Sequence, residues 1–225
     1  QTEACYQAQI VKLGEVPPDS ELIAIAEQFA KDHGIDLEKY GPAEVDNMWR
    51  TEYDRMVDTG YAYIPESMRV VFPLLIEGEP AYDQGGGKMG LSIGVSVKQK
   101  KVMDVWGIGD QTYVKSSYAG VTDESAITNY LNNLNGWPVH IMENVRGEGQ
   151  SSSTVPTVNV TLGEPTVGYA LFYKQTGMTS EELYIPSLIF RVEIKQEGEM
   201  LPYRNTIVVP LAKEMLESQT NGGRP

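Results

Sequence analysis

The side chains that most often transfer protons or bind metal ions are few in this sequence. Its two histidines, His33 and His140, stand far apart, and neither belongs to an HxxxH or HExxH pattern of metal ligands. His33 falls in the last turn of a predicted helix, where a cation suits the helix dipole. His140 lies in an apolar stretch, as a partly buried structural histidine does. We predict structural roles for both histidines, no metal site and no cofactor.

Nucleophilic catalysis has little support either. A Ser-His-Asp triad stays open because its members can be distant in the chain, but no G-x-S-x-G turn accompanies one. The single cysteine, Cys5, excludes an internal disulfide and a CxxC redox pair. We interpret Cys5 as an incidental thiol, with a lipid-attached or intermolecular cysteine as the alternative. No catalytic residue is predicted.

Acidic side chains are so common that a carboxylate pair means little by itself. Many pairs suited to glycoside hydrolysis can be drawn from the 31 Asp and Glu residues. Asp104 is the most specific candidate, because the hairpin register given below places it in an apolar row between Val102 and Trp106. A buried carboxylate there would be a functional candidate. A strand end near solvent, or a slipped register, would make Asp104 a surface residue instead.

A glycine-rich segment, QGGGK at 84–88, resembles a phosphate-binding loop in composition only. The pattern GxxxxGK[ST] requires Gly where Tyr82 stands and Ser or Thr where Met89 stands. We interpret the segment as a loop that leads into a hairpin.

Aromatic side chains are the best candidates for ligand contact. Tyr113, Tyr118 and Trp137 lie in and beyond a predicted strand over 112–118. If that strand lies at a sheet edge, its free main-chain groups can pair with an incoming strand, and the aromatics supply apolar area with polar tips. We predict these three residues as a binding site for a peptide or protein. The alternative is that they cover the two ends of the following helix.

The net charge excludes several classes of partner. Lys and Arg number 18 against 31 Asp and Glu, which gives a formal charge of −13. A nucleic-acid-binding surface is basic, and an anionic membrane surface repels acidic domains. No stretch approaches the roughly 20 apolar residues of a membrane helix. We therefore predict no nucleic acid, no direct membrane insertion, and a preference for basic partners in salt-sensitive association.

The element that organises the rest is a β-hairpin predicted over 90–106. Apolar residues at 91, 93, 95 and 97 alternate with Gly or Ser at 90, 92, 94 and 96. Pairing Val97 with Val102 places Val95 opposite Asp104 and Ile93 opposite Trp106. The face of small residues allows a helix to approach closely. We predict that helices over 20–33 and 122–135 pack on this sheet, one of them over the small residues.

The remaining pattern predicts an α+β fold with a mostly antiparallel sheet and helices packed on its faces. A third helix is predicted to begin at Pro210, and 43–58 fits a helix or a strand, with an extended start preferred. Most strand links are too short for crossovers. The other predicted strands are 61–64, 68–77, 112–118, 157–162 and 204–209, with a second hairpin made by 167–174 and 182–194.

The predicted domain spans 19–218, between a lead-in over 1–18 and a tail over 219–225. The polar loop 143–154 divides it into two possible lobes, 19–142 and 155–218. Each lobe contains a Pro-containing apolar strand and a long hairpin.

Three segments carry a resemblance to known modules. They are the hairpin 90–106 with the helix start TDESAI at 122–127, the strand EELYIPSLIFRV at 181–192, and IVVPLAKE at 207–214. Over 68–216 the chain resembles PepSY-like and YycH-YycI-like extracytoplasmic modules, and uncharacterised secreted proteins of candidate-phylum bacteria. Phe190 stands where the module usually has Trp. The resemblance implies two PepSY-like lobes, no catalytic residues, and an inhibitory, regulatory or adhesive role outside the cytoplasm.

These observations predict a non-enzymatic, extracytoplasmic binding or regulatory domain. The alternative is a cell-envelope hydrolase that acts on glycans or peptides through carboxylates without a recognisable pattern. Because the sequence starts at Gln1 without an initiator Met, we interpret it as a secreted or anchored form from which an N-terminal segment has been removed.

Overall fold

The structure, a computed structural model, describes residues 11–109, 112–132, 161–193 and 206–220. They form helices and two mostly antiparallel sheets, which confirms the α+β class. The chain divides into two compact units: unit 1 holds Gln1–Pro80 and Lys88–Tyr113, and unit 2 holds Ala81–Gly87 and Val114–Pro225. The predicted linker 143–154 lies outside the described residues, so the lobes 19–142 and 155–218 stay a prediction.

In its described residues, unit 1 contains a four-stranded antiparallel sheet and two α-helices. In chain order its elements are α1 (Asp19–Asp32), β1 (Glu44–Val45), α2 (Met48–Met56), β2 (Ser67–Pro73), β3 (Leu75–Ile76), the first half of β4 (Glu79–Tyr82), β5 (Gly90–Ser96) and β6 (Val102–Trp106). Single turns of 3-10 helix cover Leu13–Glu15 and Val57–Thr59. The strand order is β1-β2-β5-β6, so β5 is internal and β6 lies at an edge.

Helix α1 confirms the helix predicted over 20–33. Asp19 and Glu21 in its first turn suit the dipole, and Gly34 follows its end with a φ of 65° that glycine adopts without strain. Its stripe of Leu22, Ala26 and Ala30 is fully buried and packs with the apolar residues 91, 93 and 95 of β5. Burial of a leucine such as Leu22 stabilises the fold by about 2 kcal/mol.

The central hairpin forms over 90–106 as predicted, but its register differs. Gly94 pairs with Asp104 and Ser92 with Trp106, and a bulge between Gly94 and Val95 shifts the pairing so that Val95 meets Val102. The predicted opposition of Val95 and Asp104 was wrong because the bulge adds one residue to β6. Asp104 therefore leaves the apolar row and is exposed.

The face of small residues is buried, but in unit 1 its contacts are with polar side chains and not with the helix that was predicted to cover it. Ser92 and Ser96 are 2% and 5% exposed. Arg69 Nε donates to Ser92 Oγ at 2.6 Å, and the Asp104 carboxylate lies beside Gly94. Helix α1 packs on the opposite, apolar face.

Unit 2 is built on a long hairpin. Its elements are the end of β4, α3 (Glu124–Asn132), β7 (Thr161–Leu162), β8 (Thr166–Thr176), β9 (Thr179–Glu193), β10 (Thr206–Pro210) and α4 (Lys213–Thr220). Strand β8 pairs along its whole length with residues 179–189 of β9 around a turn at Gly177 and Met178, which confirms the second predicted hairpin. The order is β10-β9-β8-β4, and the pairing of β4 with β8 is parallel.

Helix α3 forms where 122–135 was predicted, but its predicted position on the central hairpin was wrong. It belongs to unit 2, where its apolar side packs with β10 and α4. Tyr130 is 7% exposed there, in a cluster with Val209 and Leu216. The apolar stripe predicted a buried face correctly, but amphipathicity alone does not specify which sheet covers it.

Four other predicted elements also differ. The extended start of 43–58 is limited to Glu44–Val45, and the rest is mainly α2. Pro210 ends β10 and α4 begins at Lys213, because a proline without an N–H group also fits a strand end. The segments 61–64 and 112–118 contain no strand. Tyrosine favours strands because its side chain packs against residues of a neighbouring strand. Without such a strand, the preference does not produce one.

Candidate binding site

The predicted binding residues do not lie on a strand. Tyr113 and Tyr118 are 43% and 41% exposed, in a stretch without regular structure. Tyr113 is the last residue of unit 1, and Tyr118 belongs to unit 2. Trp137 lies outside the described residues. The edge strand on which this site was argued is therefore absent from 112–118, and the grouping of the three aromatics stays a prediction.

The sheet edge with exposed apolar side chains is β6. It lies at the end of the order β1-β2-β5-β6, and within the described ranges no strand pairs with its outer side. Trp106 is 69% exposed and Met103 58% exposed, and Ile108 just beyond the strand is 64% exposed. An edge strand presents main-chain donors and acceptors that another chain can use.

Asp104 and Trp106 form a pair on this edge. Because side chains alternate along a strand, residues two apart lie on the same face. Trp106 Nε1 donates to Asp104 Oδ1 at 3.0 Å. The indole N–H is thus satisfied within the pair, while most of the ring remains open to solvent. The arrangement combines an aromatic surface with a negative charge at its edge.

Gly94 makes room for the carboxylate of this pair. A Cβ atom at position 94 would lie 2.5 Å from Asp104 Oδ2, which is closer than side-chain atoms approach. Gly94 pairs directly with Asp104 and adjoins the bulge. Glycine here therefore fixes where the carboxylate lies, which makes it a positioning residue for the Asp104–Trp106 pair.

A cation lies on the same face, two strands away. The register places Arg69, Gly94 and Asp104 in one row across β2, β5 and β6. Strands are spaced about 4.8 Å apart, so the backbones of β2 and β6 are separated by about 10 Å. The Arg69 guanidinium donates to Ser92 Oγ, the hydroxyl next to Gly94 along the face.

A groove of about 550 Å³ in unit 1 lies between α1 and the turn that joins β5 to β6. Its two carboxylates are engaged in surface contacts. Glu21 Oε1 lies 2.7 Å from Lys100 Nζ, and Asp32 Oδ1 accepts from Gln28 Nε2 at 2.7 Å. The Gln28–Asp32 contact is an i,i+4 pair typical of a solvent-exposed helix face, and the Glu21–Lys100 contact joins α1 to the turn.

The glycine loop satisfies its own amides. Asp83 Oδ1 accepts from the N–H groups of Gly85 and Gly87 at 2.7 and 2.9 Å. A phosphate would need those donors, and a carboxylate already occupies them. The contacts are those of a closed turn before β5.

The described histidine has a structural role. His33 caps α1, its Nδ1 donates to the Phe29 carbonyl at 2.9 Å, and its ring stacks on Phe29 at 4.0 Å. His140 and Cys5 lie outside the described residues. Among the described residues, no group of three His, Cys, Asp or Glu side chains is arranged to hold a metal ion.

Two ionisation shifts accompany α3. Hydrogen bonds from the Ser125 hydroxyl and amide lower the pKa of Asp123 at the start of the helix. Burial raises the pKa of Tyr130 above its ordinary value of 10.0. Both effects are local consequences of helix capping and packing in unit 2.

In comparisons with protein-family models, with curated proteins and with solved structures, nothing matched this chain. None of the helices in the described residues is long and apolar enough to cross a bilayer.

Sequence reasoning identified Asp104 but missed its partnership with Trp106. Two features pointed to it: the Asp-x-Trp spacing within one strand, and a glycine inside the facing strand, which often marks a bulge. The position of β6 at an edge depends on strand order, which local patterns do not specify.

Proposed function

We propose that this chain is a non-enzymatic, extracytoplasmic binding or regulatory domain that binds an extended polypeptide along β6. The observation that carries the proposal is an edge strand whose exposed Trp106 is fixed by Asp104 at 3.0 Å. In β-strand addition, main-chain hydrogen bonds supply affinity and alternating side chains supply specificity. Both features are available on β6.

The lysine-rich turn at one end of β6 supports a polypeptide as the ligand. Lys98, Lys100 and Lys101 are exposed within four residues of an otherwise acidic chain. From this turn onward the edge carries, in order, lysines, of which Lys100 is paired with Glu21, then an exposed methionine, a carboxylate and an indole. Such mixed chemistry at the spacing of a strand suits a ligand with varied side chains, whereas a uniform polymer would meet unlike charges.

The proposed extracytoplasmic localisation and regulatory role rest on the resemblance of 68–216 to PepSY-like modules, and that resemblance is itself part of the proposal. Members of those modules act outside the cytoplasm as inhibitory, regulatory or adhesive domains. For the alternative, a cell-envelope hydrolase, the described carboxylates of β6 and of the α1 groove offer no support, since each is held by a neighbouring donor.

The proposal is tested by selection of displayed twelve-residue random peptides on the purified chain. Enriched peptides are then titrated into ¹⁵N-labelled protein. We expect the amide resonances of 102–106 to shift, and N-methylation of alternate peptide residues to abolish binding because it removes donors to the strand edge. Enriched peptides that shift only resonances away from β6, or no enrichment at all, would contradict the proposal.

A further inference from the structure

We infer that Asp104 and Trp106 together recognise a Lys or Arg side chain on the bound strand. This inference rests on the proposed binding at β6 and names the chemistry of the partner: a basic, extended segment. The supporting observations are the geometry of the pair, the register of the sheet and the charge of the chain.

The pair offers two attractions to the same cation. A cation over an indole face within about 6 Å of its centroid is attracted by the ring electrons, and tryptophan is the strongest aromatic partner. The indole N–H points toward Asp104 Oδ1, so the carboxylate lies at the ring edge and leaves the faces open. A cation over the ring therefore also lies within reach of a full negative charge.

The register of an added strand places one residue on this site. A residue directly opposite Asp104 or Trp106 on an incoming strand would lie on the same face, with Cβ atoms about 5 Å apart. Its two neighbours would point to the other face, beside the half-buried Val102 and Val105 that pack with the core. The segment expected is a Lys or Arg between two β-branched apolar residues.

The charge of the molecule favours the same partner. With a net charge of −13, the chain as a whole attracts basic segments. The lysines at 98, 100 and 101 make one end of this edge positive, so the basic residue of the ligand is expected opposite the Asp104–Trp106 pair and not beside the turn. Arg69 shares the row of Asp104 but lies two strands away and donates to Ser92. The outer side of Asp104 is thus available to a cation from the solvent side of the edge.

A second copy of this chain is the less suitable occupant. Antiparallel pairing of two β6 strands centred on Asp104 would bring two Asp104 carboxylates close together on one face, between two molecules of the same net charge. Like charges opposite each other destabilise a strand pair.

The test compares matched peptides and variants. A selected peptide that carries Lys at the position facing the pair is compared with the same peptide carrying norleucine, which keeps the apolar stem and lacks the charge. Binding is measured by titration to wild type, to Asp104→Asn and to Glu27→Gln. Asn retains the acceptor for Trp106 and the side-chain shape, and Glu27→Gln removes the same charge from the exposed side of α1.

We expect the Lys peptide to bind wild type and Glu27→Gln about tenfold more tightly than the norleucine peptide, as a combined cation–π and charge interaction predicts. Asp104→Asn should remove most of that difference. If both peptides bind β6 equally, the inference is overturned and the proposed function stands. If selection yields no β6-binding peptide, both fail. Dimerisation through β6, detected by sedimentation and lost in Met103→Lys, would also overturn the inference.

Discussion

Asp104 owes its position to the absence of a side chain on the neighbouring strand. Gly94 leaves the space in which the carboxylate lies, and the indole N–H of Trp106 donates a hydrogen bond to that carboxylate. Three residues thus specify the pair: Asp104, Trp106 and Gly94, whose role is to have no side chain where the carboxylate lies. This dependence can be tested without removing either functional group.

Gly94→Ala should displace the Asp104 carboxylate and break its hydrogen bond with Trp106. The backbone at 94 has no positive φ, and the clashing atoms end a movable side chain, so stability should change by less than about 1 kcal/mol. The measurement is the indole N–H resonance of Trp106, assigned with Trp106→Phe. Gly14→Ala, where a Cβ meets nothing within 4 Å, should leave it unchanged. An unshifted resonance in Gly94→Ala would refute this account.

Tyr130 gives unit 2 a sensitivity to alkaline pH. Because burial raises its pKa above 10.0, the folded state keeps the phenol proton to higher pH than the unfolded state does. Stability from this group is therefore complete below pH 10 and falls as pH rises through the folded pKa. Tyr130→Phe should flatten the fall in unfolding free energy above pH 10, as measured by urea denaturation at stepped pH. An equal fall in both proteins would count against it.

At the scale of elements, β5 contributes central residues to the hydrophobic core of unit 1. Ile93 on this strand is fully buried, whereas Ile108 is 64% exposed. Ile93→Ala should lower the free energy of unfolding by about 2–5 kcal/mol, since it leaves a cavity between the sheet and α1. Ile108→Ala removes the same atoms and should change it by about 0.5 kcal/mol or less. Denaturant midpoints compare the two, and similar losses would contradict the assignment.

The sequence predicted those elements whose pattern is local. The stripe of Leu22 and Ala26 with Gly34 after it specified α1, and strict alternation specified β5. The β8–β9 hairpin was predicted because its two arms flank a short turn at Gly177. In each case the residues that define the element are neighbours in the chain.

What the sequence did not predict depends on distant partners. The bulge beside Gly94 changed which face Asp104 occupies, and no local pattern counts residues across a bulge. Tyr113 and Tyr118 have strand-forming side chains, yet no strand lies beside them in the described residues to make 112–118 a strand. Prediction of the Asp104–Trp106 site requires both the register and the strand order. The sequence alone therefore showed the two residues but not their arrangement at a sheet edge.

At the scale of the whole molecule, the net charge of −13 opposes compaction. Repulsion among like charges destabilises a folded chain and is screened by salt, whose Debye length falls to about 8 Å at 0.15 M ionic strength. We expect the melting temperature to rise by a few degrees between about 0.01 and 0.15 M sodium chloride. Sucrose at matched osmolality separates screening from solvent exclusion. A melting temperature that falls or stays constant with salt would contradict this prediction.

The parallel pairing of Ala81 and Tyr82 with Tyr169 and Ala170 has a consequence for the order of synthesis. The end of β4 leaves the ribosome long before β8 exists, whereas β8 and β9 emerge together and can close their hairpin within microseconds. Because closure of a long loop slows such non-local pairings, the sheet of unit 2 reaches its full width only after β10 has been made. Until β8 has been made, the nascent chain must carry the end of β4, Ala81 and Tyr82, without the strand that pairs with it.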